Sequence, residues 1–205
     1  MMKTKRAIAT AFIALVVLVL SACSPAATNE ANVPVTGAEG EAAFDANFIR
    51  MMVPHHEGAV EMAKIAQERA EHPEIKQMAE DILSTQTGEI EQMRGWLKDW
   101  YGSTDIPSMS EMPMLEGMPD MGHAHGAGAM DMQAEVENLR GAAEPFDLAF
   151  INAMIEHHQS AIDAAKVAQT QAQRTEIKQL ADAILKTQQA EIDQMKEWRK
   201  TWYNQ

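Results

Sequence analysis

Two short runs in this 205-residue sequence carry side chains suited to a soft metal: Met52-x-x-His55-His56 and Met154-x-x-His157-His158. A thioether sulfur is a soft ligand that suits Cu(I), while imidazole accepts Cu(I), Cu(II), zinc or nickel. On a helix, a Met three and four residues before two histidines shares their side of the cylinder. Glu89 and Met93 follow the first run, and Glu191 and Met195 follow the second, and all four are candidate metal ligands beside the histidines. No nucleophile–base arrangement, phosphate-binding loop or dinucleotide motif is visible. A carboxylate-bridged di-iron bundle needs Glu-x-x-His pairs, and the chain has none.

The elements that must hold these residues are set by an internal repeat. Phe44-Asp45 opens one copy and Phe146-Asp147 the other, and the offset of 102 persists without a gap to Trp100-Tyr101 and Trp202-Tyr203. Each copy reads as two helices. Phe48, Met52, His55, Ala59, Met62 and Ala66 recur in steps of four and three, which is one helical seam. The pattern breaks at His72-Pro73, because Pro disfavours helix in the residue before it and suits a first helical turn. Ala79, Ile82, Gln86, Glu89, Met93, Trp96 and Trp100 form a second seam, and the second copy repeats both. A lone helical hairpin cannot bury its apolar stripe, but two can bury theirs together. The expected fold is all-α: a four-helix bundle of two hairpins, 44–102 and 144–205, with helices of about 20–25 residues.

In antiparallel helices His55 and Glu89, equally far from the turn at His72, fall at one height. One layer of the bundle should therefore hold Met, His, Gln, Glu and Met from each copy. A buried Glu or His needs a partner. A closed hydrogen-bond network, with Glu89 holding His55 and the methionines as core filler, would satisfy that need without metal. Neighbouring histidines and soft sulfurs, present twice, favour a metal instead.

Between the hairpins, 103–143 reads as a long irregular loop rich in Met and His. It carries Met109, Met112, Met114, Met118, Met121, His123, His125, Met130 and Met132, interrupted by Pro107, Pro113 and Pro119. No helical or strand period accounts for these methionines by burial. Metal capture from Met112 to Met132 does, at weak, exchangeable sites, since ordering a flexible loop costs entropy.

At the start, Lys3, Lys5 and Arg6 precede an apolar run from Ala7 to Leu20, a signal-peptide pattern too short for a membrane span. It ends in Leu20-Ser21-Ala22-Cys23, which looks like a bacterial lipobox. The reading is a lipoprotein signal peptide over 1–22, a lipidated Cys23 and a flexible tether over 23–43. The single Cys excludes an internal disulfide and Cys-pair metal motifs. The formal net charge is −13, and three units more negative without the leader. Such a surface repels nucleic acid.

The segment Phe48-Ile49-Arg50-Met51-Met52-Val53-Pro54-His55-His56-Glu57-Gly58-Ala59 resembles the signature of the domain of unknown function 305 family. Gln86-Thr87-Gly88-Glu89-Ile90-Glu91-Gln92-Met93 resembles its second-helix signature, and Phe150 to Ala165 and Gln188 to Met195 repeat both. The resemblance implies a ferritin-like helical bundle and, from CopM-type secreted copper-binding members, a role in copper resistance. Met52, His55, His56, Met62 and Met93 fall on its motif, as do Met154, His157, His158 and Met195. Ala164 stands where the first copy has Met62, so a second-copy site using that Met would be weaker or absent.

The expected function is copper buffering or transfer at the cell envelope by a non-enzymatic, membrane-anchored lipoprotein. Cu(I) is favoured and Cu(II) is accepted by the same imidazoles. Partners would be copper ions, the membrane through the lipid on Cys23, and a copper-transfer protein or a second copy of the chain. A helical interaction protein with a structural His/Glu layer is one alternative, and a copper redox enzyme is another.

Overall fold

The computed structural model describes residues 38–107 and 132–205. The leader over 1–22, Cys23, most of the tether, and Met109, Met112, Met114, Met118, Met121, His123, His125 and Met130 lie outside these residues.

The described chain forms helices α1 (Ala38–Arg69), α2 (Pro73–Tyr101), α3 (Met132–Arg140), α4 (Phe146–Gln171) and α5 (Thr175–Tyr203). The repeats give α1–α2 and α4–α5, the two antiparallel hairpins of an all-α bundle. Local chemistry explains the breaks. His72 is extended at φ −77° and Pro73 opens α2, where its missing N–H would have had no helical partner. Gly102 ends α2 in the left-handed region at φ 63°, and its N–H donates to the Lys98 carbonyl. Its repeat mate Asn204 ends α5 the same way at φ 56°, a conformation open to Gly and tolerated by Asn.

Two boundaries differ from the sequence reading. Helix α1 begins at Ala38, inside the segment read as tether. Residues 132–140, read as irregular loop, form α3. Val136 and Leu139 of α3 are buried, and Arg69 donates to the carbonyls of Leu139, Arg140 and Ala142 at 3.4, 2.7 and 2.8 Å. A nine-residue helix offers too short a period to stand out by itself. Packing on α1 and α4 stabilises it. The four long helices span 26–32 residues, longer than expected.

Asp45 and Asp147 join the hairpins reciprocally. Gln173 and Arg174 donate backbone N–H groups to Asp45 at 3.1 and 3.0 Å. Glu71 and His72 donate theirs to Asp147 at 3.0 and 2.8 Å. The start of each hairpin thus caps the second helix of the other, as a pseudo-twofold axis requires. The arrangement sets α1 and α4 antiparallel at the centre. The apolar core falls into two clusters. One holds Phe48, Met52, Met93, Ala161 and Ile184. The other holds Met62, Ile82, Phe150, Met154 and Met195. Each fully buried Phe or Met stabilises the fold by about 1.5–3 kcal/mol. Among the described residues, no helix is long and apolar enough to cross a membrane.

Candidate metal centre

His55, His56, His157 and His158 are all fully buried between these clusters, with 0% exposure. Their position follows from the seams: one helical step separates each pair, so its two rings diverge around the helix. His55 and His157 turn inward and meet, ring centroids 3.8 Å apart. His56 and His158 turn outward to the second helix of their own hairpin. There His56 Nε2 lies 2.8 Å from Glu89 Oε2, and His158 Nε2 lies 2.7 Å from Glu191 Oε2. Register had paired Glu89 with His55, and the structure corrects this. Register fixes height along the bundle, whereas the direction around the helix selects the neighbour, and that is His56.

The network assigns the protons. A carboxylate accepts only, so in the neutral rings Nε2 of His56 and His158 carries the hydrogen. Ser160 donates its hydroxyl to the His157 carbonyl at 2.8 Å. It therefore accepts from His55 Nε2, which lies 2.8 Å from the Ser160 oxygen. In these three rings Nδ1 is left as the bare lone pair. The Nδ1 atoms of all four histidines are buried without a hydrogen-bond partner, as is Nε2 of His157. Burial holds His55 and His157 well below the ordinary imidazole range, and the neighbouring imidazoles add to the effect. Neutral imidazole is the metal-binding form.

Met52, Met62, Met93, Met154 and Met195 are fully buried at 0% exposure. Met52 and Met93 pack in one core cluster, and Met62, Met154 and Met195 in the other. Met132, the first residue of α3, brings its sulfur beside Gly58. Among the described residues, no three His, Cys, Asp or Glu side chains form a metal-sized group. A site of three or more side chains here therefore has to recruit methionine sulfur. Glu89 and Glu191 are 14% and 15% exposed. With Gln86, Gln188, Thr85 and Thr187 they line a cavity of about 10 Å³ between α2 and α5. The side-chain oxygens of Gln86 and Gln188 are buried and unpartnered.

Sequence reasoning missed the contributions of Ser160, Gly58 and the two aspartates. The repeated Phe-Asp pair was a signal for the caps. The mismatch of Gly58 with Ser160, 102 positions apart, was a signal for the asymmetry.

The fold recurs in known proteins. CopM in its Cu(II)-bound form is 40% identical with a TM-score of 0.63, and in its Cu(I)-bound form 38% with 0.62. Each match covers 78% of this chain and 97% of CopM. CopM has also been solved with silver. A DUF305 protein of Streptomyces coelicolor, described as predicted to be secreted, is 32% identical with a TM-score of 0.62, over 74% of this chain and 89% of that one. An uncharacterised Acanthamoeba polyphaga mimivirus protein, L153, is 38% identical over 55 residues, which is 27% of this chain and 36% of that protein's length. The family model described as "Domain of unknown function (DUF305)" matches residues 45–199. The chain belongs to the DUF305 family.

Proposed function

We propose that this protein is an extracytoplasmic copper-binding lipoprotein that buffers or hands over copper and so contributes to copper tolerance. One observation carries the reading: four buried imidazoles with unpartnered Nδ1 atoms form a layer flanked by buried methionines. An unsatisfied buried polar atom is costly, and a soft cation held by imidazole nitrogen and thioether sulfur removes that cost. The similar protein CopM has been solved with Cu(I), Cu(II) and silver, which supports the same cargo here.

In this reading the metal ligands come from His55, His56, His157, His158 and from Met52, Met62, Met93, Met154 and Met195. Glu89 and Glu191 act one step back, fixing the tautomer and orientation of His56 and His158. Met112, Met114, Met118, Met121, His123, His125, Met130 and Met132 collect copper more weakly. Cys23 carries the lipid that anchors the chain at the cell envelope. Copper is passed to another protein or shared between copies.

A second reading treats the layer as structural. The two closed His–Glu pairs favour it, since each already satisfies one ring nitrogen. A Cu(I) competition titration separates the two. The wild-type chain should withdraw Cu(I) from a chelator of moderate affinity. A His55/His56/His157/His158→Ala variant, checked for helix content, should retain fewer equivalents. A chain lacking 108–131 should retain the bundle's share. Failure of the wild type to compete would sink the copper reading. Loss in the deletion alone would make the layer structural.

A further inference from the structure

A small cavity between α2 and α5 is built from the two repeats in equal parts. Its polar lining is Thr85, Gln86 and Glu89 from α2 and Thr187, Gln188 and Glu191 from α5. Each residue of one set is the repeat mate of one in the other, so the cavity straddles the pseudo-twofold axis of the bundle. Its apolar lining is a further pair of mates, Ile82 and Ile184, which offer no side-chain hydrogen bond. The volume of about 10 Å³ is room for one body the size of a water molecule.

Acceptors dominate this lining. Gln86 and Gln188 are only 2% and 3% exposed, and their side-chain oxygens are buried without a hydrogen-bond partner. Glu89 and Glu191 commit Oε2 to His56 and His158, which leaves Oε1 of each uncommitted to the histidines. A water has two hydrogens and cannot serve two amide oxygens and two carboxylates together. Buried acceptors left unserved are costly. The two carboxylates also repel each other, and no lysine or arginine among the described residues lines the cavity. A cation on the axis answers both needs at once.

We propose that this cavity is a site for a hard divalent cation of the calcium class, held by side-chain oxygens of Gln86, Glu89, Gln188 and Glu191, with the hydroxyls of Thr85 and Thr187 completing the set. The site goes beyond the copper reading and does not depend on it, because its donors are oxygens, which suit hard cations rather than Cu(I). Two positive charges balance the two carboxylates. Calcium accepts about six to eight carboxylate, amide and water oxygens in flexible geometry, whereas magnesium demands a stricter octahedron and gives up its waters reluctantly. The bound ion ties the second helices of the two hairpins together at the height of the histidine layer.

Calorimetric titration of the full, metal-free chain with CaCl2, paired with thermal unfolding, tests this, with MgCl2 at equal concentration as the control. The wild type should take up a single calcium equivalent at the axis with a Kd of about 0.1–1 mM, the range of extracellular calcium modules. Its Tm should rise with calcium and much less with magnesium. Gln86→Leu/Gln188→Leu removes both amide oxygens and leaves both His–Glu pairs in place. It exchanges two unsatisfied buried acceptors for apolar groups, so the variant should fold while binding calcium at least roughly tenfold more weakly. No calcium uptake by the wild type, an equal response to magnesium, or uptake unchanged in the leucine variant would overturn the assignment. The copper reading survives each of these results, since Cu(I) competition tests it separately.

Discussion

His55 and His157 meet at the centre of the bundle with ring centroids 3.8 Å apart and ring planes tilted by 40°, although 102 positions separate them in the chain. Two neutral imidazoles in that contact are compatible with a packed core, but two imidazolium ions are not. The contact therefore makes the apo fold sensitive to acid.

Burial lowers both folded-state pKa values from the ordinary 6.5. Below that pH the unfolded chain takes up protons that the folded chain resists, so stability rises with pH in this window and is lost as pH falls below about 6.5. Urea unfolding of the apo chain should show a lower midpoint at pH 5.5 than at pH 7.5. An unchanged midpoint would contradict the buried neutral pair.

Glu89→Ala leaves His56 Nε2 buried without its acceptor, and Glu191→Ala does the same for His158. Each should destabilise the apo protein by about 1–3 kcal/mol. Each should also weaken copper binding by about 10–100-fold through loss of ring orientation. Denaturant unfolding and Cu(I) competition read the two effects separately.

Asp45→Ala removes two cross-hairpin hydrogen bonds at a helix start, and Asp147→Ala removes three, since Asp147 also holds the His72 ring at 2.6 Å. A loss of about 1–2 kcal/mol apiece is expected. The caps lie at opposite ends of the bundle and share no partner, so the double variant should be additive to within about 0.5 kcal/mol. Strong non-additivity in urea unfolding would show that the two ends are coupled.

Methionine-to-leucine changes at Met52, Met93, Met154 and Met195 separate packing from ligation. Leucine keeps the buried volume, so stability should change by less than about 1.5 kcal/mol per site. Copper affinity should fall where the sulfur is a ligand. Met62→Ala opens a cavity instead and should cost about 2–5 kcal/mol.

The bundle was legible because its signals are repetitive. An ungapped offset ran through both copies, and seams in steps of three and four placed Met52, His55 and Met62 on the buried face. Register even put Glu89 at the histidine layer. Register carries no azimuth, however, so it paired Glu89 with His55 rather than His56. Helix α3 was hidden because nine residues carry little periodicity and its stability comes from α1, α4 and Arg69. The Ser160–Gly58 asymmetry was present in the aligned repeats, but its meaning depends on which atoms enter the space that glycine leaves. Asp45 and Asp147 were visible only as part of the Phe-Asp pair that opens each copy, and their distant partners reveal them as clasps between the hairpins.

The central claim is that the buried histidine layer binds copper, and site-resolved nitrogen NMR of the imidazoles during Cu(I) titration tests it most directly. Stoichiometric addition should shift ring nitrogens of His55, His56, His157 and His158, beginning with those that have no hydrogen-bond partner. Copper uptake that leaves all four bundle histidines unmoved would contradict the account.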